Sequence, residues 1–175
     1  MEYKPMTRRD CKRKLFRDFS RYQEVSRVWR SVDGEWVLRG ESFVQQWDKR
    51  YLRQEAKKLR RQIKEGCFAY GAWDDGCFVG RACLGFRLFG SEGQYVQLID
   101  LHITTKCRGR GTGKRLFELC CEKARKLGAQ KLYISSFPAE ETVRFYMSLG
   151  CVDARELDVE LAKREPMDRH LELIL

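Results

Sequence analysis

Over 175 residues the chain carries 35 Lys and Arg against 25 Asp and Glu, a formal net charge of +10. That length suffices for one domain with a real core. No apolar run is long enough to cross a bilayer and no charged-then-apolar leader opens the chain, so the expectation is a soluble cytoplasmic protein.

Eight cysteines are present without a C-x-x-C pair, and His102 and His170 are the only histidines. No zinc site is expected, and the cysteines read as small core residues in a reducing compartment. The charge is uneven. Residues 1–66 hold 19 Lys and Arg against 10 Asp and Glu, leaving 16 against 15 for the remainder. Such an excess can mark nucleic acid, but no basic-aromatic code accompanies it. A solvated helix face, or steering of an anionic cofactor, is the preferred reading.

In chain order, Met1 to Met6 reads as a first strand. Thr7 can cap a helix to about Phe19, with Cys11, Leu15, Phe16 and Phe19 on one face. Arg21 to Arg39 contains Tyr22, Trp29, Trp36 and a Val-Asp-Gly turn, and is expected to be an ordered loop or irregular helix. Ser42 is the expected cap of a helix to about Glu65, whose apolar stripe is interrupted by Glu55. The period then becomes two. Cys67 to Trp73 and Cys77 to Phe89 are strands joined by Asp74-Asp75-Gly76. After a turn at Gly90 to Gln94, the strand from Tyr95 leads into a helix with Leu116, Cys120, Ala124 and Leu127 at helical spacing. Lys131 to Ser135 is a short buried strand and Glu140 to Leu149 a short helix. Cys151 to Leu161 reads as an irregular strand, Pro166 as a break, and Arg169 to Leu175 as a final strand.

Between the strand at Tyr95 and the helix after it lie Gly109, Gly111 and Gly113, among Arg108, Arg110 and Lys114. A strand running through a glycine-rich basic turn into a helix presents free N–H groups and a favourable dipole to a phosphate. The P-loop pattern fails, because Arg108 stands where its first glycine belongs. The dinucleotide fingerprint fails too, meeting Lys114 or Leu116 at its last glycine. The pattern that fits is R-x-x-G-x-G, from Arg108 to Gly113.

This loop, with LHITTKCRGRGTGKRLF and FYMSLGC as they stand here, resembles the GCN5-related N-acetyltransferases, and the element order agrees along the whole chain. The resemblance implies a single α+β domain over residues 1–175. It would have a mixed, mostly antiparallel twisted sheet of about seven strands, four helices, and a cofactor cleft where the fourth and fifth strands splay. It further implies acetyl-CoA as cofactor. Ile103 and Thr104 would contact the pantetheine, and Arg108, Gly109, Arg110, Gly111, Thr112, Gly113 and Lys114 the diphosphate. Tyr146 takes the position of the tyrosine that often protonates the coenzyme A sulfur. Many relatives carry a catalytic Glu where this chain has Gln97, which leaves His102 and Asp100 as the nearest titratable residues. The expected activity is acetylation of a primary amine on a small-molecule or peptide acceptor enclosed by the first helices and by Tyr22, Trp29 and Trp36. A homodimer is compatible with this reading. The alternative is an acyl-CoA-binding regulatory module that kept the fold and lost the chemistry.

Overall fold

The computed structural model describes residues 1–175. Along the chain run β1 (Glu2–Met6), β2 (Tyr22–Val32), β3 (Glu35–Gln46), α1 (Lys49–Lys64), β4 (Phe68–Asp74), β5 (Cys77–Leu84) and β6 (Tyr95–Ile103). They are followed by α2 (Thr112–Lys126), β7 (Lys131–Ser136), α3 (Glu140–Ser148), β8 (Val152–Asp153), α4 (Val159–Arg164) and β9 (Arg169–Ile174). Seven strands form one sheet in the order β1-β4-β5-β6-β7-β9-β8, and β2 and β3 form a separate ribbon. Within the large sheet every pairing is antiparallel except β6 with β7. The expected α+β fold, with its seven-stranded, mostly antiparallel sheet, is therefore present.

The parallel pair positions the site. Its register runs from Tyr95 opposite Lys131 to Leu98 opposite Ile134 and stops there, although β6 continues to Ile103. Pairing of β6 with β5 slips at the same place: Cys83 faces Asp100 while Leu84 faces Leu98, so Ile99 is an extra residue. A bulge bends its strand and increases the local twist. The far half of β6 consequently parts from β7, and the gap is the cleft expected between the fourth and fifth strands of the main sheet.

Each face of the sheet has its own core. On one side α2 buries Leu116, Phe117, Cys120 and Ala124 against Val79, Ala82, Val96 and Leu132. On the other, α1 and the segment before β2 bury Leu59, Ala56, Phe16 and Phe19 against Phe78 and Cys83. Glu55, which interrupts the apolar stripe of α1, has a partner. Arg81, fully buried on β5, donates to Glu55 and to Asp100 of β6, the latter at 2.6 Å.

Five segments differ from the sequence expectations. Residues 7–19 form successive turns with i to i−3 bonds rather than a helix; Asp10 folds back to accept from both Thr7 groups at 2.7 Å, while Cys11, Phe16 and Phe19 are buried as anticipated. The stretch from Arg21 is the β2–β3 hairpin, turned by Asp33 and Gly34, both at positive φ (51° and 85°). This is the same Asp-Gly device as the β4–β5 turn, where Asp75 and Gly76 have φ 47° and 76°. Helix α1 starts later than Ser42: Asp48 is its cap and accepts from the Tyr51 N–H at 2.6 Å. The fourth helix is α4, capped by Asp158, where a strand was expected. Strand β5 ends at Leu84 rather than Phe89.

Candidate active site

The far half of β6 opens onto a cleft of ≈ 330 Å³. Leu101, His102 and Ile103 form its floor, Arg108, Gly109, Gly111, Gly113 and Lys114 one end, and Thr142, Phe145 and Tyr146 of α3 a side wall. Arg21 and Gln23, from the start of the ribbon, close it over the top.

The glycine loop is built for close approach. Gly109 and Gly111 have φ 72° and 78°, a region that L side chains rarely enter, and a Cβ at either would point into open space. Gly113 serves a different purpose, since a Cβ there would sit 3.2 Å from the Phe145 ring. Its small size lets α2 pack against α3. The first internal bond of α2 runs from the Arg115 N–H to the Gly111 carbonyl. The N–H groups of Thr112, Gly113 and Lys114 are thus left unpaired at the positive end of a 15-residue helix. Open backbone, unpaired donors and the Arg108 and Lys114 cations together fit a diphosphate.

Arg108 also holds the ribbon, donating to the Tyr22 carbonyl at 3.0 Å. Thr104 and Thr105 do the same from just beyond the end of β6, accepting from the Ser20 and Tyr22 N–H groups at 2.9 and 3.0 Å. The Thr104 side chain is therefore occupied with the chain entering the ribbon, and Thr104 does not line the cleft. Thr112 is buried with its hydroxyl unpartnered, and Arg110 is exposed outside the cleft.

Tyr146 is buried between Phe117 and Phe145, with ring centroids 6.1 and 5.1 Å away. It lines the cleft, and its hydroxyl has no protein partner. Burial is the main cause that raises its pKa, so the phenol is protonated throughout the neutral range. His102 stands on the floor with its ring edge-on to Trp47 at 4.7 Å. Burial, and then the positive charges of Arg81, Arg21, Lys58 and Arg108, push its pKa well below 6.5. The imidazole is neutral at pH 7. Asp100 is placed otherwise. Its carboxylate lies outside the cleft, accepts from Arg81, and has Lys58 at 4.0 Å.

Arg21 had no signal in the sequence. It is fixed by Gln23 at 2.9 Å and Gln45 at 2.8 Å and lies over Trp47 at 5.8 Å. Burial first, and the Arg108 charge second, lower its pKa to about 10. The expectation that Tyr22, Trp29 and Trp36 enclose the acceptor meets a different arrangement: none of the three lines the cleft, the Tyr22 hydroxyl donates to Glu24 at 2.6 Å, and both Trp rings stack on Arg169, at 4.8 and 5.0 Å. The aromatic that packs on His102 is Trp47, at the end of the ribbon, which backs the cleft floor without lining the cleft.

A parallel pair parting above a basic, glycine-bearing helix N-terminus defines the class: an acyl-coenzyme A-binding transferase fold. The sequence model described as "Acetyltransferase (GNAT) family" matches residues 27–151, well over half of the chain, and the chain belongs to that family. The family's cofactor is acetyl-CoA. Solved structures agree in fold at low identity. The putative streptothricin acetyltransferase from Bacillus anthracis str. Ames, in complex with acetyl coenzyme A, superposes with TM-score 0.73 and 16% identity, covering 100% of this chain and 99% of that one. Nourseothricin acetyltransferase gives 0.71 and 16%, with 99% and 97% covered. PaiA N-acetyltransferase from Thermoplasma acidophilum, in complex with coenzyme A, gives 0.61 and 12% over the whole of both chains. No curated protein sequence matches the chain.

Proposed function

We propose that this protein transfers the acetyl group of acetyl-CoA to a primary amine of a small-molecule or peptide acceptor, directly, with both substrates in the cleft. The observation that supports this best is Tyr146: an unpartnered, protonated phenol in the wall of a cleft whose end is a diphosphate cradle. When bound, acetyl-CoA supplies an acetyl group activated as a thioester. The N–H groups of Gly113 and Lys114, with the Arg108 and Lys114 charges, would hold the diphosphate. Ile103 would line the pantetheine. The Tyr146 Oη holds a proton that it can give to a departing thiolate.

The neutral His102 can accept a proton at a ring nitrogen, from the amine or from an intervening water. In this reading Asp100 takes no proton, because its carboxylate serves Arg81. Eight free thiols, six of them buried, support a reducing compartment, the cytoplasm.

The alternative, a non-catalytic acyl-CoA-binding module, is favoured by one residue: Gln97 stands where many relatives have a Glu. A panel of amines assayed for acetyl-CoA-dependent release of free thiol separates the two. Turnover with at least one amine, falling by about 10²-fold in Tyr146→Phe at unchanged acetyl-CoA affinity, is the expected result. Acetyl-CoA binding without turnover across small amines, amino acids and peptides would favour the module. A Tyr146→Phe variant with the wild-type rate would return Tyr146 to a packing role.

A further inference from the structure

The basic excess of residues 1–66 is gathered on one surface. Three adjoining depressions, ≈ 400, 400 and 350 Å³, follow helix α1 where the turns of residues 8–17 pack beside it. The middle one lies between Arg13, Arg53, Lys57 and Arg60. Lys57 and Arg60 also wall the second, and Arg13 and Arg53 the third. Ten Lys and Arg line the three, and no Asp or Glu does. Of the ten, only Arg61 has a carboxylate partner, Glu65 at 3.9 Å.

Three of the nearby acids are turned elsewhere. Asp10 accepts from Thr7, Asp48 caps α1, and Glu55 is buried on Arg81. Like charges three and four residues apart on a helix cost stability, so the fold carries this stripe at a loss.

We propose that this stripe binds the phosphate backbone of a nucleic acid. A helix of 16 residues is about 24 Å long, which spans roughly seven phosphates at 3.4 Å along one strand. Three depressions in a row suit a repeating anion better than a single one. A membrane surface fits less well. A helix lying on lipid presents an apolar face, whereas the apolar face of α1 (Ala56, Leu59) is consumed by the core. The site is separate from the cleft, with which its three depressions share no lining residue. It stands independently of the proposed acetyl transfer.

The test is fluorescence anisotropy with a labelled single-stranded RNA and a DNA duplex of about 20 nucleotides, as salt is varied. The expected result is binding at about 100 mM salt to at least one of the two, whose affinity falls log-linearly with salt, with a slope of about −3 or steeper. Lys57→Glu with Arg60→Glu should weaken it at least tenfold. Arg125→Glu with Lys126→Glu, the same charge change on exposed residues of α2, should weaken it less than twofold. Circular dichroism melting confirms that both variants are folded; should the first not fold, Lys57→Gln with Arg60→Gln, expected to lose at least threefold, replaces it. Equal losses in the two pairs would reduce the effect to net charge and overturn the site. So would no binding of either nucleic acid at that salt, or binding to phosphatidylserine vesicles without binding to either.

Discussion

At His102 two effects act in the same direction. Burial and four nearby cations each penalise the imidazolium, so its pKa lies well below 6.5. In a rate profile, the limb set by His102 should then lie on the acid side of pH 6.5. A limb rising above pH 7 should persist in His102→Asn, because it belongs to the acceptor's own ammonium group. Disappearance of a limb above pH 7 in that variant would contradict the assignment. The linkage has a definite sign. A histidine with a depressed folded pKa binds protons better when unfolded, so it costs stability as pH falls below 6.5. Asp168 shows the opposite case. Burial raises its pKa to about 6, while a hydrogen bond from Ser135 at 3.2 Å opposes the shift. The native state favours the protonated carboxyl, and stability is lost as pH rises from about 4 through 6. Asp168→Asn should therefore raise the melting temperature at pH 8 and leave it nearly unchanged at pH 4. A variant that is destabilised at pH 8 would show that the ionised carboxylate is the form the fold uses.

Elements are joined here largely through polar residues that read as exceptions in the sequence. Glu55 breaks an apolar stripe, and Arg81 sits in a run of apolar residues, because they meet each other and Asp100 between α1, β5 and β6. Removing Arg81 would leave two buried carboxylates without their cation. Arg81→Met should cost about 3–5 kcal/mol by chemical denaturation, whereas replacing all three charges with apolar residues should recover much of that loss. Retention of full stability by the single variant would contradict the role given to the triad. The same interdependence explains which elements were legible. The β4–β5 hairpin, β6, α2, β7 and α3 each carry a continuous apolar signal, as runs of buried residues in the strands and as buried residues at helical spacing in the helices. The β2–β3 ribbon does not: a bulge between Val25 and Arg27 resets its alternation, and most of β3 is solvated. Its one plain signal is Asp33-Gly34, the same dipeptide that marks the β4–β5 turn. Helix α4 has only six residues, and Val159 and Leu161 alternate around Glu160 like a strand. Its Asp158 cap is the local feature that distinguishes it.

In the whole molecule, the sheet separates two surfaces: α2 and its basic loop on one face, and α1 with its unpaired cations on the other. The cleft loop was legible because its glycines and cations are consecutive. Arg21 and Gln23 were not, since they reach the cleft only through the ribbon, which is anchored by contacts distant in sequence. These run from Ser20 to Thr104, from the Tyr22 carbonyl to Arg108, and from Arg27 to Glu140 at 2.7 and 2.8 Å. Arg27→Ala should therefore loosen the roof of the cleft. It should raise KM for the acceptor more than for acetyl-CoA, and equal changes in both would count against a roof that shapes the acceptor side.

The central claim is that the loop from Arg108 to Lys114 holds the diphosphate of acetyl-CoA at the splayed end of β6. Calorimetric titration of acetyl-CoA into the wild-type protein and into Gly111→Val tests it most directly. At Gly111 any side chain meets a backbone of φ 78° and projects into the open space over the helix N-terminus. Saturable, micromolar binding to the wild type, lost by at least tenfold in a folded Gly111→Val, is the predicted result. Equal affinity in the two proteins, or no heat of binding in the wild type at millimolar acetyl-CoA, would contradict it.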